Sequence, residues 1–173
     1  LFVSTHQYVM RSFNEGNKFD TTLRAENLAT VFVSRSGTVL AGGRGKVYFS
    51  QDIGKSWDSV SVNTASDITG FVENATGGLF GMTRIYDETK GYIGDGVLFS
   101  NDGGSSWVFR NNGLGSQKAC EHLAIDKNGR LYLAIGDEDR TGMGGLFVSD
   151  NNGLQWEGIG IAIDGKNQVP DQV

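Results

Sequence analysis

The stretch Val97-Leu98-Phe99-Ser100-Asn101-Asp102-Gly103-Gly104-Ser105-Ser106-Trp107 decides the fold, because it recurs. Upstream stands Val47-Tyr48-Phe49-Ser50-Gln51-Asp52-Ile53-Gly54-Lys55-Ser56-Trp57, and downstream Leu146-Phe147-Val148-Ser149-Asp150-Asn151-Asn152-Gly153-Leu154-Gln155-Trp156. All three read as three apolar residues, then Ser-x-Asp/Asn-x-Gly-x-x-Trp. The serines lie 50 and 49 residues apart. The opening Leu1-Phe2-Val3-Ser4 repeats the apolar lead 46 residues before Ser50, with His6, Tyr8 and Arg11 in the Asp, Gly and Trp columns. That copy is degenerate. A period of about 40 to 50 residues in a strand-rich chain signals a propeller or another repeat array.

Working outward, each period carries four short apolar runs bounded by Gly and Asn. In the first, Thr30 to Ser34, Thr38 to Ala41, Lys46 to Ser50 and the residues from Trp57 to Val62 read as strands. The second repeats this plan with Ile68 to Val72, Leu79 to Arg84, Val97 to Ser100 and Trp107 to Arg110. The third uses His122 to Ile125, Arg130 to Ile135, Leu146 to Ser149 and Trp156 to Ile161. Runs such as Leu131-Tyr132-Leu133-Ala134-Ile135 are apolar throughout, as suits sheets covered on both faces. The fold class is therefore all-β: a propeller, or part of one, of four-stranded antiparallel blades. The expected divisions are a remnant plus connecting loop over 1–28, blades over 29–63, 64–112 and 113–163, and a tail or next blade over 164–173. Residues 13–28 are polar without strong periodicity and read as a connection.

The motif has a local physical logic. An Asp or Asn carbonyl oxygen accepts backbone N–H bonds from its own loop, placing Asp52, Asp102 and Asn151 as turn closers. Gly54, Gly104 and Gly153 supply positive φ, and the hydroxyls of Ser50, Ser100 and Ser149 add a second local bond. Trp57, Trp107 and Trp156 lay large rings over the sheet edge.

This pattern resembles the Asp-box, or bacterial neuraminidase repeat, of sialidases, two-lobed xyloglucanases, sortilin-type receptors and a photosystem II assembly factor. Two copies match in full, and the third has Asn151 for Asp. With the degenerate copy the resemblance spans nearly the whole chain. It implies that the motif holds the fold and lies away from the usual ligand face, so it names an architecture and no substrate.

Composition narrows the functional classes. The 173 residues include 26 Gly and one Pro, so glycine makes the turns. A net charge of −5 without a Lys/Arg cluster argues against nucleic acid. No apolar run approaches the ~20 residues of a membrane span. The chain lacks a signal peptide and an initiating Met, so Leu1 reads as a processed or truncated start. The single cysteine, Cys120, precedes an apolar run and reads as a packing residue. Asn74-Ala75-Thr76 matches a glycosylation sequon.

Candidate binding residues come from the unequal loops between second and third strands, which share one face with the inter-blade connections. The first blade turns tightly at Gly42 to Gly45; the second inserts Ile85 to Gly96 and the third Gly136 to Gly144. Long loops on a rigid scaffold carry function. Arg84, Tyr86, Asp87 and Tyr92, with Asp137, Asp139 and Arg140, suit a sugar or a peptide; the plainer reading is solvated hairpin tips. Asp137-x-Asp139-x-Thr141-Gly142 imitates the opening of a calcium loop, yet Val148 stands where its bidentate Glu belongs. A partial calcium site at Asp137 and Asp139 is the only cofactor raised. His6 and His122 are isolated and suggest no zinc.

Catalysis by the sialidase pattern needs a Tyr–Glu nucleophile, an acid Asp, an arginine triad and an Arg-Ile-Pro stretch. The nearest approach is Arg84-Ile85-Tyr86, and no catalytic residue carries over. The leading expectation is a non-catalytic recognition module, outside the cytoplasm, binding a glycan or protein partner on its inter-blade loop face. The alternatives are a sialidase- or xyloglucanase-type glycoside hydrolase with catalytic residues outside this segment, and an assembly scaffold for a larger complex. Three blades and a remnant do not close a ring of about six to eight. The expected partners therefore include the rest of a longer propeller chain, or further copies that complete the ring.

Overall fold

The computed structural model describes residues 1–116, 118–136, 144–159, 161–163 and 166–168. Every regular element among them is a strand. β1 (Phe2–Ser4), β2 (Tyr8–Arg11) and β3 (Asp20–Arg24) form a three-stranded sheet in that order. β4 (Thr30–Val33), β5 (Val39–Gly43), β6 (Lys46–Ser50) and β7 (Asp58–Ser61) form a four-stranded meander. β8 (Asp67–Glu73), β9 (Leu79–Asp87), β10 (Gly91–Ile93), β11 (Val97–Ser100) and β12 (Val108–Phe109) form a sheet in which β9 pairs with β8 and β11, and β10 doubles back on β9. β13 (Cys120–Ile125), β14 (Leu131–Ile135), β15 (Gly145–Ser149) and β16 (Glu157–Ile159) form another meander. β17 (Ile161–Ile163) and β18 (Lys166–Gln168) form a separate pair.

Two sequence expectations need correction. Residues 13–28 are not merely a connection, because β3 lies within them and pairs along β2, Leu23 opposite Val9. The insertion at 85–96 is not an open loop: Ile85, Tyr86 and Asp87 continue β9 and pair with Ile93, Tyr92 and Gly91. Both segments are polar enough to read as loops. Strand pairing, which periodicity over so few residues cannot show, decides otherwise.

The chain divides into two compact units, Leu1–Gly81 with Ser100–Trp107, and Met82–Phe99 with Val108–Val173. In the first, Val9, Leu28 and Ala41 form a buried cluster flanked by Phe2, Leu23, Val31, Tyr48 and Trp57. A run of rings continues the core, with centroids 6.3 Å apart from Phe32 to Phe71 and 5.6 Å from Phe71 to Trp107. β5 is buried at every residue, as its unbroken apolar run requires. Gly42 allows a close approach of backbone: a Cβ there would lie 2.3 Å from the Ile68 carbonyl oxygen. In the second unit, Leu131, Leu133 and Ile135 on one face of β14 are buried, together with Phe147 and Trp156. Each such side chain, fully buried, contributes about 1.5–3 kcal/mol.

Candidate functional site

The recurring motif builds one hydrogen-bonded turn in every copy. The Ser50 hydroxyl donates to Asp52 Oδ1 (2.8 Å) and accepts the Gly54 N–H (2.8 Å), while Asp52 Oδ1 also accepts the Ser56 N–H (2.9 Å). Ser100, Asp102, Gly104 and Ser106 repeat this at 2.8, 3.0 and 3.0 Å. Ser149, Asn151, Gly153 and Gln155 repeat it at 2.9 Å in all three bonds. The neutral amide thus replaces the carboxylate without loss of geometry.

The N-terminal copy exists, but in a different register from the one expected. Ser12 Oγ donates to Asn14 Oδ1 (2.9 Å) and accepts the Gly16 N–H (2.9 Å), and Asn14 Oδ1 accepts the Lys18 N–H (2.9 Å). The motif is Ser12-Phe13-Asn14-Glu15-Gly16-Asn17-Lys18-Phe19, with Phe19 in the Trp column. Phe2–Ser4 is β1, and Thr5 to Tyr8 a plain hairpin leading into β2, closed by the Thr5 N–H to the Tyr8 carbonyl (2.8 Å). Ser12 lies only 38 residues before Ser50, and that short spacing hid it.

The motif glycines have two reasons to be glycine. Each has positive φ, 89° at Gly16, 74° at Gly54, 95° at Gly104 and 77° at Gly153. Gly104 also faces the strands of the blade before it, where a Cβ would lie 2.6 Å from Leu40 Cδ2. The residue before each glycine is left-handed too: Glu15, Ile53, Gly103 and Asn152. Arg11 donates to the Ile53 carbonyl and Arg110 to the Asn152 carbonyl, tying two of these turns to the blade before them.

The tryptophans differ. Trp156 is fully buried and its Nε1 donates to the Arg110 carbonyl (2.8 Å), crossing from one blade to the next. Trp107 Nε1 donates within its own turn to the Gly104 carbonyl (2.9 Å), and the buried Trp57 Nε1 has no partner. The carboxylates are held ionised. Asp52 lies well below the usual carboxylate range, first because the Ser56 hydroxyl donates to it and next because the Ser56 N–H does. Burial, the largest single influence on Asp102, pushes it up, but the Ser106 hydroxyl and N–H and the Ser100 hydroxyl together outweigh it and bring it down.

At the other end of the strands the β9–β10 ribbon carries the candidate ligand residues. Arg84 and Tyr86 lie two apart on β9, and Tyr92 pairs opposite Tyr86, so all three share one face. The Tyr86 and Tyr92 rings meet edge to face, centroids 5.2 Å apart at 69°. Arg84 Cζ lies 4.3 Å from the Tyr92 centroid, and its guanidinium pairs with Glu121 on β13. Tyr86 is 60% exposed. Glu121, near the start of β13, escaped the sequence reading; nothing in sequence links it to an arginine 37 residues away. Asp87 is not available to a ligand in the same way. Its Oδ1 accepts the Thr89 hydroxyl (2.6 Å), the Thr89 N–H (2.9 Å) and the Lys90 N–H (3.0 Å), closing the ribbon tip. Those bonds, the Thr89 hydroxyl first, lower its pKa.

Asp137, Asp139 and Arg140 lie outside the described residues, and so does the candidate calcium position. The last described residue before them, Gly136, sits against Glu121, whose Oε1 would be 2.7 Å from a Cβ there. Cys120 is buried, and burial pushes its thiol up to about 12, as befits a packing residue. Asn74 of the sequon is buried, and its Oδ1 accepts the Gly78 N–H (2.7 Å) and the Thr76 N–H (3.1 Å), making it a turn cap. Among the described residues no three His, Cys, Asp or Glu side chains gather to hold a metal. No described helix is long and apolar enough to cross a membrane.

Four-stranded antiparallel meanders, repeated in chain order and turned through one hydrogen-bonded motif between third and fourth strands, are the blades of a β-propeller. Among solved structures the chain is similar to YCF48 bound to D1 peptide, at 18% identity and a TM-score of 0.57 over 86% of this chain. It is also similar to the GH74 enzyme of Niastella koreensis, at 20% identity and a TM-score of 0.57 over 94% of this chain. These neighbours accord with the Asp-box propeller resemblance, and at such identities they show the fold. This chain spans 46% of the length of the first and 24% of the second. No protein-family model and no curated protein matches it in sequence.

Proposed function

We propose that this chain is a non-catalytic recognition module of a β-propeller, acting outside the cytoplasm and binding a glycan or protein partner on its inter-blade loop face. The observation that carries this reading is the β9–β10 ribbon. It presents Tyr86, 60% exposed and braced edge-on by Tyr92, on the same face as Arg84. An exposed ring fixed by its neighbours offers an apolar platform with little entropy left to lose on binding. The motif turns at the other strand ends hold the frame that presents it.

Hydrolysis is the weaker reading, although a GH74 enzyme shares the fold. A general acid needs a raised pKa. The Asp87 carboxyl group on the ribbon is lowered by its own turn, and Glu121 is committed to Arg84. A scaffold role draws support from one comparison: YCF48, of similar fold, binds a peptide. Within the module reading, that makes a protein segment the second ligand class.

Calorimetric titration with a panel of oligosaccharides and extended peptides tests the proposal, each repeated on Tyr86→Ala. Binding that Tyr86→Ala weakens about tenfold or more, roughly 1.4 kcal/mol, supports it. Turnover of any glycoside that a single carboxylate substitution abolishes overturns it.

A further inference from the structure

We infer that Glu121 sets the charge specificity of this face, so that its ligand is an uncharged oligosaccharide rather than an acidic sugar. The inference rests on the module reading above and adds the class of ligand. Arg84 is the cation on the aromatic face of the ribbon, and left alone it would draw a carboxylate or sulfate by paired N–H donors. It is not alone. Its guanidinium is paired with Glu121, and both side chains are only about a quarter exposed, 26% and 27%. Its remaining open side faces the Tyr92 ring at 4.3 Å. A half-buried cation already matched by a carboxylate gains little from a second anion, which would have to displace Glu121 or share the cation with it.

The surroundings reinforce this. Glu121 packs against the backbone at Gly136, where a Cβ would lie 2.7 Å from its Oε1, so the carboxylate is confined beside Arg84. An incoming anion meets a cation whose charge Glu121 already offsets. What remains open for contact is the Tyr86 ring, with its Tyr92 brace. The face of the exposed Tyr86 ring fits the apolar face of an uncharged pyranose, with hydroxyl groups left to the solvent side. Arg84 then acts through Tyr92, as a positioning residue for the platform.

The experiment measures affinity for two oligosaccharides of equal length, a cello-oligosaccharide and its counterpart ending in glucuronate. It uses the chain as it stands, then Glu121→Gln, then Glu121→Gln combined with Arg84→Gln. The unsubstituted chain should bind the neutral sugar at least about tenfold more tightly than the acidic one. Glu121→Gln keeps the side-chain volume and frees the guanidinium, so affinity for the acidic sugar should rise about tenfold while that for the neutral sugar holds. Adding Arg84→Gln should remove the gain, which a role in folding alone would not do; matching thermal melts of all three chains confirm that they fold. Equal or tighter binding of the acidic sugar by the unsubstituted chain overturns the inference and leaves the module reading intact. So does Glu121→Gln without a gain. Loss of neither sugar on Tyr86→Ala overturns the module reading's choice of platform, and the charge result then stands or falls separately on Glu121→Gln.

Discussion

The two ends of the strands are built on opposite plans. At one end four turns, at Ser12, Ser50, Ser100 and Ser149, repeat the same three hydrogen bonds within about 0.2 Å although Asp gives way to Asn and Trp to Phe. At the other end the connections between second and third strands range from the tight turn after Gly43 to the Tyr86–Tyr92 ribbon. Redundant local bonding makes the first end insensitive to sequence. Lack of it leaves the second end free to vary. Architecture is held where the motif is, and recognition is proposed where it is not.

The sharpest way to break the first plan is through its buried anchors. Trp156→Ala should destabilise the chain by about 3–5 kcal/mol in urea denaturation, since it empties a fully buried site and leaves the Arg110 carbonyl without its donor. Trp57→Ala should cost clearly less, because that ring is only partly buried and its Nε1 has no partner to lose. A similar loss for both would mean that the tryptophans are interchangeable, contrary to their different bonding. Next in size, Gly104→Ala should cost about 2–3 kcal/mol, combining positive φ with a Cβ 2.6 Å from Leu40 Cδ2. Gly103→Ala isolates the backbone part, about 1 kcal/mol, since its φ is 72° and nothing lies within 4 Å.

Smaller still is a gain. Ile53 is a β-branched residue at φ 61° and 53% exposed, an outlier that no packing repays. Ile53→Asn should stabilise the chain by up to about 1 kcal/mol, read as a higher melting temperature. The finest comparison is between the charged and neutral turns. Asp52 and Asp102 have folded pKa values below their unfolded ones, so their contribution is complete above about pH 4 and fades as pH falls toward the lower folded value. On acidification the amides of Ser56 and Ser106 should lose hydrogen-exchange protection before that of Gln155, whose acceptor Asn151 does not titrate. Asp52→Asn should shift Ser56 to the behaviour of Gln155.

The motif turns were legible because every bond in them joins residues two to four apart, so the sequence window contains both partners. The copy at Ser12 was equally legible in kind. It stands out less because Phe19 replaces the tryptophan and its spacing is 38 rather than near 50. The candidate site was legible only as a set of residue types. Tyr86 and Tyr92 stand out in the sequence within an insertion, with Arg84 just before it, but not as one face of a ribbon. Asp87 closes its own turn through Oδ1, a bond set that its place in a polar insertion does not announce.

By itself, then, the sequence determined the repeat, its all-β character and the chemistry of its turns, since these depend on neighbours along the chain. Tertiary structure decided what depends on partners far along it. The pairing of β9 with β10 sets Tyr86 against Tyr92, and the packing of β13 beside β9 brings Glu121 onto Arg84 across 37 residues. Hydrogen bonds within a turn form wherever the turn forms, but an ion pair between strands exists only once the sheets have been placed.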